Sequence, residues 1–297
     1  MRTYVAATAV LATLALGACS ASTPPLVAQP NDPPATDPTT EPTAGEPPAS
    51  DGLAAYFLLD SLFGGPFLAP VWDADAGSLE DALSGLLAGP EDVLAGTEFG
   101  AAGLSSAIPA GTTLLSATVR GRTAVVDLSS TFDDGGGSAG MQARLAQVVY
   151  TATQIDDVED VELRIDGEVV DVFSSEGIVL QQPMTRFDAL ATGVIGKLFI
   201  DRPAYGQIVA PTFAMSGYAR DLFEATFHYS LTDGDEHTYG EGFVTATGSQ
   251  GWNGYAQRVE TALSSRTVAS LDVVEGSPED GSTVFEVIYP IAIDPAA

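Results

Sequence analysis

One short segment of this sequence fits the pattern of a catalytic nucleophile. Residues 136–140 read GGSAG and match G-x-S-x-G, the turn that presents a serine between a strand and a helix. In that turn the strand runs directly into the serine, whereas here DDG intervenes, and Ser138 suits the N-cap of the following helix. The candidate bases, His228 and His237, fall in a second predicted domain, so a triad would require the two domains to dock. We therefore predict no catalytic residue and interpret Ser138 as a helix cap.

Clustered carboxylates and the two histidines are the candidate metal ligands, since calcium prefers carboxylate oxygens and zinc accepts imidazoles. The acidic clusters are Asp133-Asp134, Asp156-Asp157 with Glu159-Asp160, and Asp233 with Asp235-Glu236. None has the full spacing of a calcium loop, and no thiolate is available to join His228 and His237 in a zinc site. Turn and surface residues explain these groups, so we expect neither a bound metal nor a cofactor.

Three aromatic residues could form a binding surface. Trp72, Trp252 and Tyr255 could stack on sugars or hold a partner protein, as exposed aromatic rings do at interfaces. Packing in the core is the alternative, and we favour it because aromatic rings are usually buried.

The N-terminus carries an export signal that ends at the only cysteine. Arg2 precedes an apolar run too short to cross about 30 Å of hydrocarbon. Residues 16–19 (LGAC) resemble a bacterial lipobox, whose cysteine receives a diacylglyceryl group. We therefore predict a lipoprotein signal peptide over residues 1–18 and lipidation at Cys19, with an ordinary secretory signal as the alternative. Lipidation would hold the protein at the extracytoplasmic face of the cell membrane.

Residues 19–51 form a predicted tether. Between residues 20 and 50 the chain has nine prolines, four acidic residues and no aromatic residue, so it cannot bury enough apolar area to fold. In an extended polyproline conformation it would reach roughly 100 Å from the lipid surface. Glycosylation of its threonines is a second interpretation.

The charge of the chain limits the classes of partner. With 40 acidic and 11 basic residues, the formal net charge is −29. Such a surface repels phosphate and attracts cations or basic partners, which argues against nucleic acid as a ligand.

Residues 52–180 have the pattern of an α+β domain. Apolar runs predict strands at 53–60 and 67–72 and hairpins at 113–129 and 161–173. Ser78 and Gly89-Pro90 bound a first helix, and a second runs from about 138 to 154. One face of the second helix carries Met141, Leu145, Val148, Val149 and Ala152. This order describes a small sheet with two helices on one face.

Four segments of this domain resemble the GerMN domain of sporulation and spore-germination proteins. They are LLAGP at 86–90, IPAGTTL at 108–114, TAVVDLSSTF at 123–132 and LAQVVYTATQIDDVEDVELRIDG at 145–167. Their order along the chain is that of the family, which makes the resemblance fairly specific.

Residues 193–297, after a predicted linker at 181–192, have the pattern of a β-sandwich. Alternation places Phe223, Ala225, Phe227, Tyr229 and Leu231 on one face of a strand, and Phe285, Val287, Tyr289, Ile291 and Ile293 on one face of the last strand. IDRPAYGQIV, FAMSGYARDLFEATFHYSLTDGD, GEGFVTATGSQGW and DGSTVFEVIYPI resemble the immunoglobulin-like domain of bacterial spore-germination proteins.

The two resemblances together imply a role in the cell envelope. Neither family has an established catalytic site, so the resemblance supplies no active residue. We expect a non-enzymatic binding or assembly module whose partners are envelope proteins or further copies of itself. A protein that binds or hydrolyses peptidoglycan or wall glycan is the alternative.

Overall fold

The computed structural model describes residues 52–173, 177–190, 192–233 and 237–297. The predicted signal peptide, Cys19 and the tether lie outside the described residues, as do Asp235 and Glu236 of the third acidic cluster. Among the described residues, no helix has both the length and the apolar character needed to cross a membrane. All described residues belong to one structural unit.

The first domain begins with a three-stranded antiparallel sheet. β1 (Leu53–Leu59) pairs along its whole length with β2 (Phe67–Asp73), and β3 (Leu104–Ser105) pairs with the end of β1. Both predicted strands are therefore confirmed. Residues 54–58 of β1 are all buried, which shows that both faces of this sheet are covered.

A second sheet completes the first domain, with strand order β10-β6-β5-β4. These strands are β4 (Leu114–Arg120), β5 (Thr123–Leu128), β6 (Asp160–Ile165) and β10 (Met184–Thr185), and β7 (Glu168–Val169) pairs with β6. The turns of both predicted hairpins are confirmed. The second predicted hairpin strand is interrupted, because β8 (Val172–Phe173) pairs with β9 (Ile178–Val179) instead. Val125 of β5 is buried although it alternates with the buried residues Ala124 and Val126, so both faces of this strand are covered there.

Three helices accompany these sheets. α1 (Leu79–Ala88) begins as predicted, with Ser78 Oγ accepting a hydrogen bond from the Asp81 backbone N–H at 3.2 Å. α2 (Pro90–Val93) follows directly, and α3 (Ser138–Ala152) connects the parallel strands β5 and β6. The predicted cap role of Ser138 is wrong. Gly137 is the N-cap, because the preceding glycines adopt positive φ and turn the chain into the helix one residue earlier.

Helix α3 is buried on two sides. The predicted apolar face packs into the main core, with Met141, Leu145, Val148, Val149 and Ala152. The opposite face carries Ala143, Ala146 and Tyr150, which are also buried and form a second cluster with Phe199 and other residues beyond position 188. The same cluster includes Ala54, Tyr56, Leu58 and Leu68 of the first domain, so both domains together cover this helix face.

The second domain is a β-sandwich, which confirms the predicted fold class. One sheet has the order β11-β13-β16, formed by β11 (Leu198–Arg202), β13 (Thr212–Arg220) and β16 (Trp252–Glu260). The other has the order β12-β18-β17-β14-β15, formed by β12 (Ile208–Val209), β18 (Thr283–Ile293), β17 (Thr267–Gly276), β14 (Thr226–Thr232) and β15 (Thr238–Thr245). Phe223 does not share the buried face of β14, because residues 223–225 form a 3₁₀ turn that exposes its ring.

The segment between the two predicted domains is structured in its described part. β10 pairs with β6 of the first domain, and α4 (Arg186–Leu190) follows it directly. Ala189 and Leu190 of α4 pack in the same cluster as Tyr150 and Phe199.

Candidate binding groove between the two domains

Backbone hydrogen bonds join the second domain to β2 of the first. Leu68 donates to the Val194 carbonyl and Trp72 to the Tyr205 carbonyl, both at 2.9 Å, while Tyr205 donates to the Pro70 carbonyl at 2.8 Å. These bonds resemble those between neighbouring strands of a sheet, so the connection between β11 and β12 continues the first sheet.

A charged network closes one end of this interface. Tyr56 Oη donates to Asp201 at 2.5 Å, and the Arg186 guanidinium donates to the second carboxylate oxygen at 2.9 Å. Arg186 also lies over the ring of Tyr150, 4.7 Å from its centroid, and that ring packs edge-on against Phe199. Burial opposes ionisation of Asp201, but Arg186 and Tyr56 outweigh it and hold the pKa of this carboxyl below its usual value. We call these three residues the Tyr56–Asp201–Arg186 network.

Aromatic rings close the other end. Phe67 of β2 and Phe285 of β18 pack with their centroids 5.4 Å apart. Gly196 lies against both rings, and a Cβ atom at this position would come within 2.8 Å of Phe285. The two domains therefore approach closely enough to require glycine here.

A groove of about 390 Å³ opens where β18 meets the first domain. Among its lining residues, Ala269 is buried, and so are the tyrosines Tyr205 and Tyr289. Their hydroxyls donate inward to the backbone carbonyls of Gly100 and Pro203, at 2.5 and 2.6 Å, which fixes both rings. The walls of this inter-domain groove are Leu59, Ala102, Asp233, Val268, Ala269, Ser270, Ile288 and Pro290.

A smaller cavity of about 30 Å³ adjoins the groove and shares Leu59, Ile288 and Tyr289 with it. Asp60 and Glu286 are among its lining residues. Partial burial, together with the negative charge of Asp272, raises the pKa of Glu286 above its usual value. The cavity beside the groove is thus lined by a carboxylate whose charged form is destabilised by its surroundings.

The outer face of the larger sandwich sheet continues from the groove. The strand register places side chains in two rows that cross four strands: Glu286, Val274, His228 and Phe243, then Ile288, Asp272, Ser230 and Glu241. Phe243 and Ile288 are 73% and 46% exposed, respectively. The titratable side chains in these rows are three carboxylates, Glu286, Asp272 and Glu241, and one imidazole, His228. We call this surface the outer face.

Residues 136–140, which match the nucleophile motif, do not adopt the geometry that this motif requires. β5 ends at Leu128, a 3₁₀ turn occupies residues 130–133, and Ser138 is the first residue of α3. A nucleophile turn requires the strand to lead straight into the serine, so residues 136–140 do not form one. The rings of His228 and His237 pack instead against Phe243 and Tyr239 of their own domain.

The acidic clusters serve local structure. Glu159 forms an ion pair with Arg122, and Asp157 adopts a positive φ in a turn. Asp233 accepts hydrogen bonds from the His237 backbone and the Tyr239 hydroxyl, at 3.0 and 2.6 Å. Among the described residues, no three histidine, aspartate or glutamate side chains are grouped so that they could hold a metal ion.

The candidate aromatic residues pack inside the fold. Tyr255 is buried and donates to the Phe199 carbonyl at 3.0 Å. Trp72 and Trp252 are half-buried against the second core cluster, and Arg220 lies 5.0 Å above the Trp252 ring. Core packing, the favoured interpretation, is confirmed for Tyr255.

Sequence reasoning missed the polar residues at the interface. Asp201 directly follows the buried run Leu198–Ile200 of β11, and a charge at the end of such a run was the available signal. Arg186 gave no signal, because it lies in a segment predicted to be a linker. Glu286 alternates with the apolar residues that the sequence places on one face of the last strand, and nothing else in the sequence singled it out.

Both halves of the chain match known families. Residues 56–171 match the family described as sporulation and spore germination (Germane), and residues 197–282 match the immunoglobulin-like domain of bacterial spore germination (Gmad2). No curated protein matches the chain.

Solved structures with some similarity come from the sporulation protein GerM of Bacillus subtilis. Its first GerMN domain is 21% identical, with a TM-score of 0.36, over 46% of this chain and 98% of that chain. Its tandem GerMN domains are 18% identical, with a TM-score of 0.39, over 72% of this chain and 63% of that chain.

Proposed function

This chain combines a sporulation and spore germination domain with an immunoglobulin-like domain of bacterial spore germination, and on this premise we propose that it is a lipid-anchored binding module of the cell envelope. It holds or assembles other envelope proteins at the extracytoplasmic face of the membrane and catalyses no reaction. The order of signal, tether and two domains along the chain supports this proposal.

The anchor part of the proposal rests on the sequence around Cys19. Several acyl chains, at about 0.8 kcal/mol per buried CH₂ group, would make the attachment effectively permanent. The test is metabolic labelling with a palmitate analogue. We expect labelling of the natural chain, none of the Cys19→Ser variant, and accumulation of the uncleaved precursor when globomycin inhibits the lipoprotein signal peptidase. Labelling that persists in the variant would contradict the anchor.

One observation carries the binding part: the two domains are packed as one body. The interface combines backbone hydrogen bonds, a charged network and an apolar cluster to which α3 and both domains contribute. Such an interface holds the surfaces of both domains in a fixed relative position, so a partner meets a preorganised site and loses less entropy on binding. A tether then raises the effective concentration of partners near the membrane.

Cross-linking in intact cells tests the binding part. A photoreactive amino acid at Phe243 on the outer face should cross-link a specific envelope protein, and the same residue at Val119 on β4 provides a control position. The cross-link should weaken in the Cys19→Ser variant, which is released from the membrane. Recovery of lipid alone, together with wall hydrolysis or co-sedimentation of the purified chain with wall, would replace the proposal with the wall-directed alternative.

A further inference from the structure

We propose that the inter-domain groove binds a protein segment that carries lysine or arginine beside apolar residues. This inference rests on the proposed function and specifies the chemistry of the partner. It follows from the lining of the groove, the charges at its rim and the candidates that those charges exclude.

The lining of the groove suits long basic side chains. Its lining is apolar at Leu59, Val268 and Ile288, and it also includes Tyr205 and Tyr289. The methylene stem of lysine or arginine packs on apolar surface while its charged end stays polar. Where a tyrosine ring face is accessible, it also attracts a cation.

The rim of the groove, where it meets the outer face at Ile288, carries negative charge. Asp272 stands opposite Ile288 across the strand pair, and Glu286 lines the adjoining cavity. Asp272 accepts a hydrogen bond from Ser270 at 2.7 Å, but within the described ranges no ion pair includes Asp272 or Glu286. Partial burial and, after it, the charge of Asp272 raise the pKa of Glu286, and a cationic partner would offset the repulsion between the two carboxylates.

The same charges exclude two other occupants. Residues 20–51 contain acidic residues and no lysine or arginine, so this chain's own tether would be repelled. A second copy carries the same net charge of −29. A divalent cation is also unsuitable, because the described carboxylates do not converge in a group of three.

The position of the groove leaves it accessible on an anchored protein. The tether joins β1 at Leu53, whereas the groove lies at Leu59, at the opposite end of this strand. At about 3.3 Å per residue, the two ends of β1 are roughly 20 Å apart. A segment can therefore enter the groove without passing the point of attachment.

Binding of synthetic peptides to the full chain in detergent tests this inference. The probes are fluorescent eight-residue peptides in which valine alternates with lysine, with glutamate or with serine, and anisotropy measures binding. We expect the lysine peptide to bind at least about tenfold more tightly than the other two, and its affinity to fall as salt increases.

Two substitutions in the site and one outside it locate the binding. Glu286→Gln and Ile288→Ser should each weaken binding of the lysine peptide by roughly threefold to tenfold. Glu168→Gln removes an exposed acid of the first domain and should leave binding unchanged. Equal binding of all three peptides, or equal losses for Glu286→Gln and Glu168→Gln, would overturn the inference. If cross-linking in cells still recovers a protein partner after such a result, the proposed function stands without this groove. Displacement of the bound lysine peptide by purified wall would also overturn the inference.

Discussion

The interface network and the groove rim place carboxylates in opposite situations within the same domain. Asp201 lies between Tyr56 and Arg186, with both carboxylate oxygens hydrogen-bonded and a pKa below the usual value. Glu286 lies beside Asp272, with no ion pair among the described residues and a pKa above the usual value. The two sites have the same chemical group but opposite electrostatic surroundings.

This difference separates a structural charge from a charge available for binding. A carboxylate whose partners are all internal stabilises the fold and offers nothing to a ligand. A carboxylate raised in energy by its neighbours lowers the stability of the folded chain and can recover that energy from a cationic partner. The Tyr56–Asp201–Arg186 network therefore belongs to the interface, and Glu286 belongs to the candidate site.

The largest effect is expected from Phe199→Ala, which removes a buried ring at the interface. Phe199 packs against Tyr150 of α3, so its loss leaves a cavity that should lower the free energy of unfolding by about 3–5 kcal/mol. Urea unfolding followed by tryptophan fluorescence measures this. Phe243→Ala, on the exposed outer face, is the matched control and should change stability by less than about 0.5 kcal/mol. Two separate unfolding transitions, only one of them shifted, would show that the interface does not couple the domains.

A smaller loss is expected from Arg186→Met, which leaves Asp201 half-buried without its cation. Breaking such a pair should lower the free energy of unfolding by about 3 kcal/mol, at the low end for buried pairs because both side chains keep some exposure. Arg258→Met removes a cation from an exposed pair with Glu260 and should cause no measurable change in the same urea titration. Equal losses in the two variants would contradict the structural role of the network.

The smallest effects concern pH, and the two carboxylates should act with opposite sign. Folding lowers the pKa of Asp201, so its ionised form stabilises the folded chain. This contribution to the free energy of unfolding is complete above the usual pKa of about 3.9 and is lost as the pH falls below that value. Asp201→Asn should therefore show a weaker loss of stability between pH 5 and pH 3 than the natural chain. Folding raises the pKa of Glu286, so its protonated form is favoured in the folded chain. This contribution to the free energy of unfolding is complete below about pH 4.3 and is lost as the pH rises.

Thermal unfolding at pH 7 and pH 4 checks the second part of this comparison. Glu286→Gln should melt slightly higher than the natural chain at pH 7, by about 1 °C because the site is only partly buried and solvent screens the charge, and the difference should disappear at pH 4. A Tm for Glu286→Gln below that of the natural chain at pH 7 would mean that Glu286 has a stabilising partner, and would argue against an available charge at the rim.

Much of the fold was predictable because it follows from short-range patterns. Neighbours within a few residues determine three of these features: the strands β1 and β2, the helix that Ser78 caps, and the alternating core positions of β14 and β18. Ser138 and Phe223 were exceptions. At both sites a backbone with positive φ, at Gly135 and Gly136 or at Glu224, shifts the start of the next element by one or more residues.

The candidate site was not predictable, because it depends on residues far apart in the chain. Leu59 and Ile288 meet in the groove across more than two hundred positions, and no periodicity within either strand indicates that contact. Likewise, the second face of α3 has small residues and one tyrosine, a pattern that suits solvent as well as a domain interface.

The sequence by itself determined the negative charge and the two family resemblances, and it predicts a signal and a tether ahead of the two domains, since composition and local periodicity carry that information. Only the tertiary structure decided that the domains pack as one body, that Asp201 is neutralised internally and that Glu286 has no ion pair within the part of the chain that the structure describes. The physical reason is that the state of a carboxylate depends on burial and on charges within a few ångströms, and these neighbours come from distant parts of the chain.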